Sequence, residues 1–376
     1  MNSVSSVAAS TSAPVAEEVF GDVSPIFVVG APRSGTTLLE RMIDAHPAIS
    51  ITDELCFFDI VLQISEEVPD LRGRANVDAL MSRLPQMDHF RNWNGIDTVL
   101  EEVGERLVSD PKASYQRLFL QLMQVHAGQQ GARRFGDKTP WNVRHLPTLL
   151  RWFPDARIIH LVRDPRANVA SKIDLPRTSG DVLTATVKWR MDVDAGDRFE
   201  TSGAIPAEHF LTVRYEDLVQ ESERVARRIC DTIGEDFAPE MLTFHRRRDV
   251  MFKDQPWKEG VLRPMSTGSL DAWRERLPPV RSMLIELVAG SAMRRHDYRA
   301  DPRGLRRWLA VPAQLVREFA MWRRFKREER ERRKAEPETR FVADNRSFYK
   351  LALESLGLRR PPPPPPPSRS NPPPQQ

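Results

Sequence analysis

Short apolar runs alternate along this chain with stretches in which apolar positions recur every three or four residues. The first kind predicts buried strands, the second helices packed by one face. "PIFVVG" (25–30) is the first run. In the stretch 36–46 that follows, Leu38, Leu39, Met42, Ile43 and His46 recur at helical spacing, and Pro47 ends the helix. "AISI" (48–51) is a second extended run, leading to Asp53 and Glu54. "RRFGDKTP" (133–140) predicts a short strand and a turn, and "ARIIHLVRDP" (156–165) a strand running into a loop. "HFLTVRYEDL" (209–218) repeats that unit. Helices are predicted over 141–153, with Val143, Leu146, Leu149 and Leu150 on one face, and over 166–173. Residues 55–130 read as a mostly helical insertion beside the sheet. The alternation predicts an α/β fold, a parallel sheet flanked by helices. Ligands of such sheets collect at the carboxyl ends of the strands. Arg33, Glu54, Lys138, Arg163 and Tyr215 all fall there.

The pattern changes near residue 300. Between Arg303 and Lys334 twelve Lys or Arg stand against four Glu, with Trp308, Leu309, Leu315, Val316, Phe319, Trp322 and Phe325 among them. "RRPPPPPPPSRSNPPP" (359–374) can join neither helix nor central strand and predicts extended polyproline. The expected organisation is a disordered 1–23, an α/β domain over 24–300, a basic helical extension over 301–358 and a disordered Pro-rich tail over 359–376. Of 376 residues 40% are hydrophobic and 29% charged, as in soluble globular proteins. A net charge of +4 is too small to imply nucleic acid. Two cysteines, Cys56 and Cys230, make no disulfide framework, no long apolar span occurs, and the first residues lack a signal-peptide pattern. These features lead to the expectation of a cytoplasmic protein.

"VVGAPRSGTT" (28–37) carries the first chemical signal. Gly30 and Gly35 frame four residues, the spacing of a phosphate-gripping Walker A loop, and make the expected sheet P-loop-like. Thr36 stands where that loop has its lysine. Backbone amides at the start of a helix still attract an anion, and Arg33 supplies a planar cationic fork. Ser34, Gly35, Thr36 and Thr37 complete the candidate cradle. The bland alternative is an ordinary strand–turn–helix corner. "HLVRDPRANVAS" (160–171) sets Arg163 at a strand end and Ser171 eight residues on, a candidate second anion site with Arg166 nearby. Its bland alternative pairs Arg163 with Asp164 at the surface and leaves Ser171 a plain helix residue. The histidines show no metal-ligand spacing, so no metal is expected.

The two motifs, in this order and about 130 residues apart, resemble the sulfotransferase family that uses 3′-phosphoadenosine 5′-phosphosulfate (PAPS). They read Pro32-Arg33-Ser34-Gly35-Thr36-Thr37 and Arg163-Asp164-Pro165 to Ser171. "DAHPAISITDE" (44–54), "GDKTP" (136–140), "FPDARIIHLVRDPRANVAS" (153–171) and "VRYEDL" (213–218) match too, so the resemblance spans about 24–300. It is nearest to the bacterial and Golgi-type branches, such as the protein-tyrosine sulfotransferases. It implies that the first loop grips the 5′-phosphosulfate and that Arg163 and Ser171 grip the 3′-phosphate. It implies in-line, metal-independent sulfuryl transfer to a hydroxyl, leaving the 3′,5′-bisphosphate (PAP).

The resemblance assigns the base to Glu54, with Asp53 the alternative in "TDE", and the cation on the bridging oxygen to Lys138, shared with Arg33. Tyr215 would touch the nucleotide phosphates, and residues 253–274 would form a late loop over the nucleotide. His46, beside a proline, reads as a capping or packing residue, His160 as a residue inside a buried strand, and Trp189 as core or pocket wall. Two readings compete. A P-loop kinase or NTPase would want a lysine after Gly35, and a catalytically inactive nucleotide-binding scaffold would have no use for Glu54 and Lys138. The acceptor stays open among carbohydrate, glycolipid, small metabolite and peptidyl tyrosine. The basic stretch 303–334 suits peripheral contact with an anionic membrane, or a helix packed on the domain or on a second subunit of a homodimer.

Overall fold

The computed structural model describes residue 20, residues 22–301 apart from 88–89, 91–92, 94, 174, 176–177, 179 and 247–261, and residues 305–335. Five short strands form one parallel sheet. They are β1 (Ile26–Gly30), β2 (Ile49–Asp53), β3 (Arg134–Lys138), β4 (Arg157–Val162) and β5 (Phe210–Arg214), in the order β2-β3-β1-β4-β5. Alternation along β1 feeds two cores. Phe27 and Val29 join one apolar cluster and Ile26 and Val28 another, as a pleated strand buried on both faces requires. Each fully buried side chain of this size contributes about 1.5–3 kcal/mol of transfer free energy.

After β1 the chain crosses to β2 on one side of the sheet, whereas after β4 it goes to β5 on the other. The crevice between β1 and β4 is therefore the topological switch point, where open α/β sheets bind ligands. Helix α1 (Thr36–Asp44) follows β1. Between β2 and β3 lie α2 (Arg74–Met81), α3 (Ile96–Ser109) and α4 (Tyr115–Gln129). Their apolar faces share a core with the sheet, where Phe119 stacks on Phe57 at 4.5 Å and on Phe27 at 6.0 Å.

Three expected helices differ from those observed. The first stops at Asp44. The stretch 141–153 is a 3-10 turn, Pro140–Arg144, followed by α5 (Leu146–Trp152), because Pro147 suits only a helix start. The stretch 166–173 is the short α6 (Pro165–Ala170). Helices α7 (Val182–Glu200), α8 (Tyr215–Gln220), α9 (Ser222–Ile233), α10 (Trp273–Arg276) and α11 (Pro279–Arg295) complete the domain. The expectation of disorder up to residue 23 is corrected at Phe20. That residue is buried, stacks on Phe153 at 5.4 Å and donates its N–H to the Trp152 carbonyl at 2.7 Å.

The basic stretch forms one long helix, α12 (Leu305–Ala335). Val311, Leu315 and Trp322 pack on α7 and α11. Glu318, fully buried, accepts from Arg281 Nε at 2.8 Å, Val182 N at 2.8 Å and Gln314 Nε2 at 2.6 Å. The helix is thus docked on the domain, one of the arrangements its sequence left open. No described helix is long and apolar enough to cross a membrane. Residues 1–19 and the Pro-rich tail lie outside the described residues.

Candidate active site

The loop between β1 and α1 is shaped for an anion. Gly35 caps α1 in a left-handed conformation (φ 99°), with no side chain bonded to the helix's leading amides. Those amides point toward the switch point. A Cβ at Gly35 would lie 2.5 Å from the Tyr215 ring, so this position admits only glycine without movement. Arg33 also has positive φ (71°), rare for a residue with a side chain and a mark of functional loops. Its Nε is buried without a hydrogen-bond partner among the described residues, and so is that of Arg163.

Arg163, just past β4, donates from Nη1 to the Arg33 carbonyl at 3.3 Å and lies 4.3 Å over the Tyr215 ring. Burial and the charge of Arg163 both lower the Arg33 pKa, with Glu54 opposing them. Two neighbouring guanidiniums, each with an orphaned nitrogen, form a site short of negative charge. Ser34 accepts from Asn168 Nδ2 at 3.1 Å, and the same amide donates to the Pro32 carbonyl at 3.0 Å, tying α6 to the loop.

Lys138 ends β3, fully buried, beside Asp53 at the end of β2; the two are register partners. Its ammonium is ion-paired with Asp53, donates to Glu54 Oε1 at 2.9 Å and reaches Thr37 Oγ1 at 3.5 Å. Burial works against its charge, yet Asp53, Glu54 and Glu40 outweigh it and hold the ammonium above the ordinary lysine range. Burial pushes the Glu40 carboxyl up to about 8.

The segment carrying Glu54 is pinned from β3. Asp137 Oδ1 accepts from Leu55 N at 3.1 Å and Thr52 Oγ1 at 3.1 Å, Asp137 Oδ2 accepts from Asn142 Nδ2 at 2.8 Å, and Thr139 Oγ1 accepts from Cys56 N at 3.1 Å. Cys56 takes positive φ (47°) in the turn this produces.

Arg33, Ser34, Gly35, Thr36, Thr37, Glu54, Lys138, Arg163 and Tyr215 thus meet at one edge of the sheet, each in or beside the end of a strand. Ser171 caps the short α6 at its C-terminus, and its hydroxyl donates to the Asn168 carbonyl at 2.7 Å. The expectation that Arg166 adds charge to the nucleotide site is corrected. Arg166 is buried, bonded to Asp164 and Glu286, and stacked 4.2 Å over Trp273. Asp164 pairs with Arg166, not with Arg163. His46 Nε2 bonds the Asp236 carbonyl at 2.9 Å and its Nδ1 accepts from Ala48 N at 3.1 Å, a packing role. His160 is buried inside β4, where burial pushes its pKa down to about 4. Trp189 is buried and donates Nε1–H to the Arg163 carbonyl at 3.0 Å, so it positions that arginine. Of the expected loop 253–274, residues 253–261 lie outside the described residues. Asp137, Thr139 and Asn168 went unread in the sequence, although the first two flank Lys138 in "GDKTP".

A family model described as "Sulfotransferase family" matches residues 25–239, more than half the chain. A Caenorhabditis briggsae relative named for protein-tyrosine sulfotransferase is 27% identical over 257 residues, 66% of this chain and 80% of that protein. Protein-tyrosine sulfotransferase 1 of Danio rerio is 25% identical over 275 residues, 68% of this chain and 67% of that protein. Among solved structures, the sulfotransferase domain of the Synechococcus PCC 7002 olefin synthase aligns with a TM-score of 0.52 and 23% identity, over 71% of this chain and 91% of that one. The sulfotransferase domain from the curacin biosynthetic pathway aligns at 0.51 with 19% identity, over 76% and 100%. These two likenesses bear on the fold alone.

Proposed function

This chain belongs to the sulfotransferase family, and from that premise we propose that its donor is PAPS, held by Arg33, Arg163 and the start of α1, with Glu54 and Lys138 as its catalytic pair. The observation that carries the reading is the convergence at the switch point. Two arginines with partnerless buried nitrogens stand beside an uncapped helix start, and a lysine–carboxylate pair lies across Thr37. That set fits a phosphosulfate, an anion that backbone amides and guanidiniums can hold.

When bound, PAPS supplies a sulfuryl group on a phosphate leaving group. The acceptor oxygen gains the bond to sulfur as the bond from sulfur to the 5′-phosphate oxygen breaks, and that oxygen keeps the electron pair. Arg33 and Lys138 stabilise the growing charge there, and Glu54 takes the acceptor's proton. Lys138 serves both functions. In the resting site it is ion-paired with Glu54. Asp53 sits on the same ammonium and is the rival base.

The test compares Glu54→Gln and Asp53→Asn for PAP binding by calorimetry and for transfer of labelled sulfate. The reading requires that Glu54→Gln keep PAP affinity and lose turnover. Absence of PAP binding to the unaltered protein overturns the donor assignment. Equal turnover in Glu54→Gln and the parent overturns the base.

Helix α12 favours a second, peripheral contact. Trp308, Leu309, Val316 and Phe319 are exposed beside exposed Arg317, Arg323 and Arg324. We infer that this face lies on an anionic membrane surface. Salt-sensitive sedimentation with phosphatidylserine vesicles, lost on Trp308→Ser with Phe319→Ser, is the expected result. Vesicle binding unchanged in that variant, or self-association through this face instead, overturns it.

A further inference from the structure

A cavity of about 260 Å³ is lined by Pro32 and Arg33 of the loop between β1 and α1. Thr184, Lys188 and Asp192 of α7 line it, and so do Trp322 and Phe325 of α12. Trp141, three residues past Lys138, forms a third side. The cavity therefore has Arg33 and a helix outside the matched region 25–239 on one lining.

Its charge is uneven. Lys172, Lys188 and Arg144 line it together with Arg33, against Asp181 and Asp192. One oxygen of each acid has a protein partner, and Asp192 Oδ2 is buried without a hydrogen bond among the described residues. Asp181 Oδ1 accepts from Thr184 N at 2.7 Å as the cap of α7, and Asp192 Oδ1 accepts from Arg144 Nε at 2.6 Å. The Lys172 backbone bonds Val169 and Leu175, whereas its ammonium makes no hydrogen bond or ion pair among the described residues. Burial, with Lys188, Arg144 and Arg33 nearby, lowers its pKa to about 7 against the pull of Asp192. An ammonium held under such conditions is stabilised by an incoming anion. The rings of Trp141, Trp322 and Phe325 provide an apolar frame for a flat body.

Resting on the function proposed above, we propose that this cavity is the acceptor pocket and that α12 is its specificity wall. It takes a small hydroxylated acceptor with one flat apolar ring and one acidic group, the acid at Lys172 and the hydroxyl at the Arg33 end. Glu318 ties α12, and this wall with it, to Val182 of α7 and Arg281 of α11. Trp322 and Phe325 follow Glu318 by one and two turns on the same helix face. A cavity of this size suits one ring and its substituents rather than an oligosaccharide.

The test uses the full chain with PAPS and two acceptors of the same shape, 4-hydroxyphenylacetate and its neutral amide, with an acidic tyrosyl peptide as a third arm. Direct binding of 4-hydroxyphenylacetate to the PAP complex is read by quenching of tryptophan fluorescence, since Trp141 and Trp322 line the pocket. Expected are saturable quenching, a kcat/KM at least about tenfold higher for the acid than for the amide, and loss of that preference in Lys172→Gln. Trp322→Ala should raise KM for both acceptors by roughly tenfold while PAP affinity is retained. Equal kcat/KM for acid and amide, a preference that survives Lys172→Gln, or no quenching in the PAP complex overturns the proposal. Turnover of the peptide alone overturns the small-acceptor class. PAP binding and sulfuryl transfer to any acceptor would leave the donor reading standing in each of these cases. Only failure to bind PAP would remove both.

Discussion

The buried ammonium of Lys138 lies 2.9 Å from the carboxylate of Glu54, so the cation assigned to the leaving oxygen and the base assigned to the acceptor are one ion pair in the resting site. Removing either partner changes the other. Lys138→Met leaves Asp53 and Glu54 facing each other and is expected to lower kcat by about 100- to 1,000-fold. Glu54→Gln should cost roughly 100- to 10,000-fold. The double variant should be little worse than the poorer single one, because the two act as a unit. Single-turnover transfer of labelled sulfate measures all three; additive losses would contradict the coupling.

Gly35→Ala should weaken PAP binding by more than about tenfold and lower Tm. The added methyl enters the Tyr215 ring and forces a left-handed backbone on alanine, which costs about 1–2 kcal/mol before the clash is counted. The companion Tyr215→Ala with Gly35→Ala removes the clash but not the backbone cost. Recovery of part of the lost Tm in that pair, by differential scanning calorimetry, checks the assignment.

Asp137→Ala is expected to destabilise the fold by roughly 2–4 kcal/mol. Leu55 N, Thr52 and Asn142 would lose a shared acceptor in a buried place. The segment bearing Glu54 would loosen with it, so kcat should fall although Asp137 touches no substrate. Urea unfolding and steady-state rates, measured on one preparation, separate the two effects.

The ratio of kcat/KM for 4-hydroxyphenylacetate to that for its amide should fall as pH rises through about 7, by roughly tenfold at pH 8.5. Lys172 carries the charge that favours the acid, and its lowered pKa means the charge is present below about 7 and lost above. The groups facing it are Asp192 and Lys188 on α7, Arg144 before α5, and Arg33, with Lys326 of α12 acting on Lys188. Taking the ratio cancels titration of the base, since both acceptors share it. A flat ratio between pH 6 and 9 would remove Lys172 from the acid's site.

Glu318→Ala should release α12. Arg281 and Val182 N would be left in a buried place without their acceptor, at a cost of about 2–4 kcal/mol. Acceptor KM should rise, as in Trp322→Ala, with PAP affinity intact. Calorimetry with PAP and acceptor kinetics read the two sites independently.

The strands were legible because short apolar runs ending in Gly, Asp or Arg have few other solutions in a chain of this composition. "PIFVVG" became β1 and "ARIIHLV" β4 with little change of boundary. The loop between β1 and α1 was legible through glycine spacing. What stayed hidden depends on partners far away in sequence. Arg166 looked like a free cation, but Glu286 lies 120 residues on and claims it. Asn168 reads as a plain helix residue until the loop 134 residues earlier folds against it. The seat of α12 rests on one buried glutamate in an arginine-rich stretch, and composition alone marks such a stretch as solvated. Periodicity reports which face is apolar, but not which polar residue on that face has found a buried mate.

Because α12 walls the cavity from outside the matched region, the enzyme's two recognition tasks are built from separable pieces of chain. On the proposed reading, donor binding rests on loops at the sheet edge and acceptor selectivity partly on a helix outside the matched region. Descendants of this architecture can diversify by trading that appendage, and a protein engineer can do the same by grafting one helix.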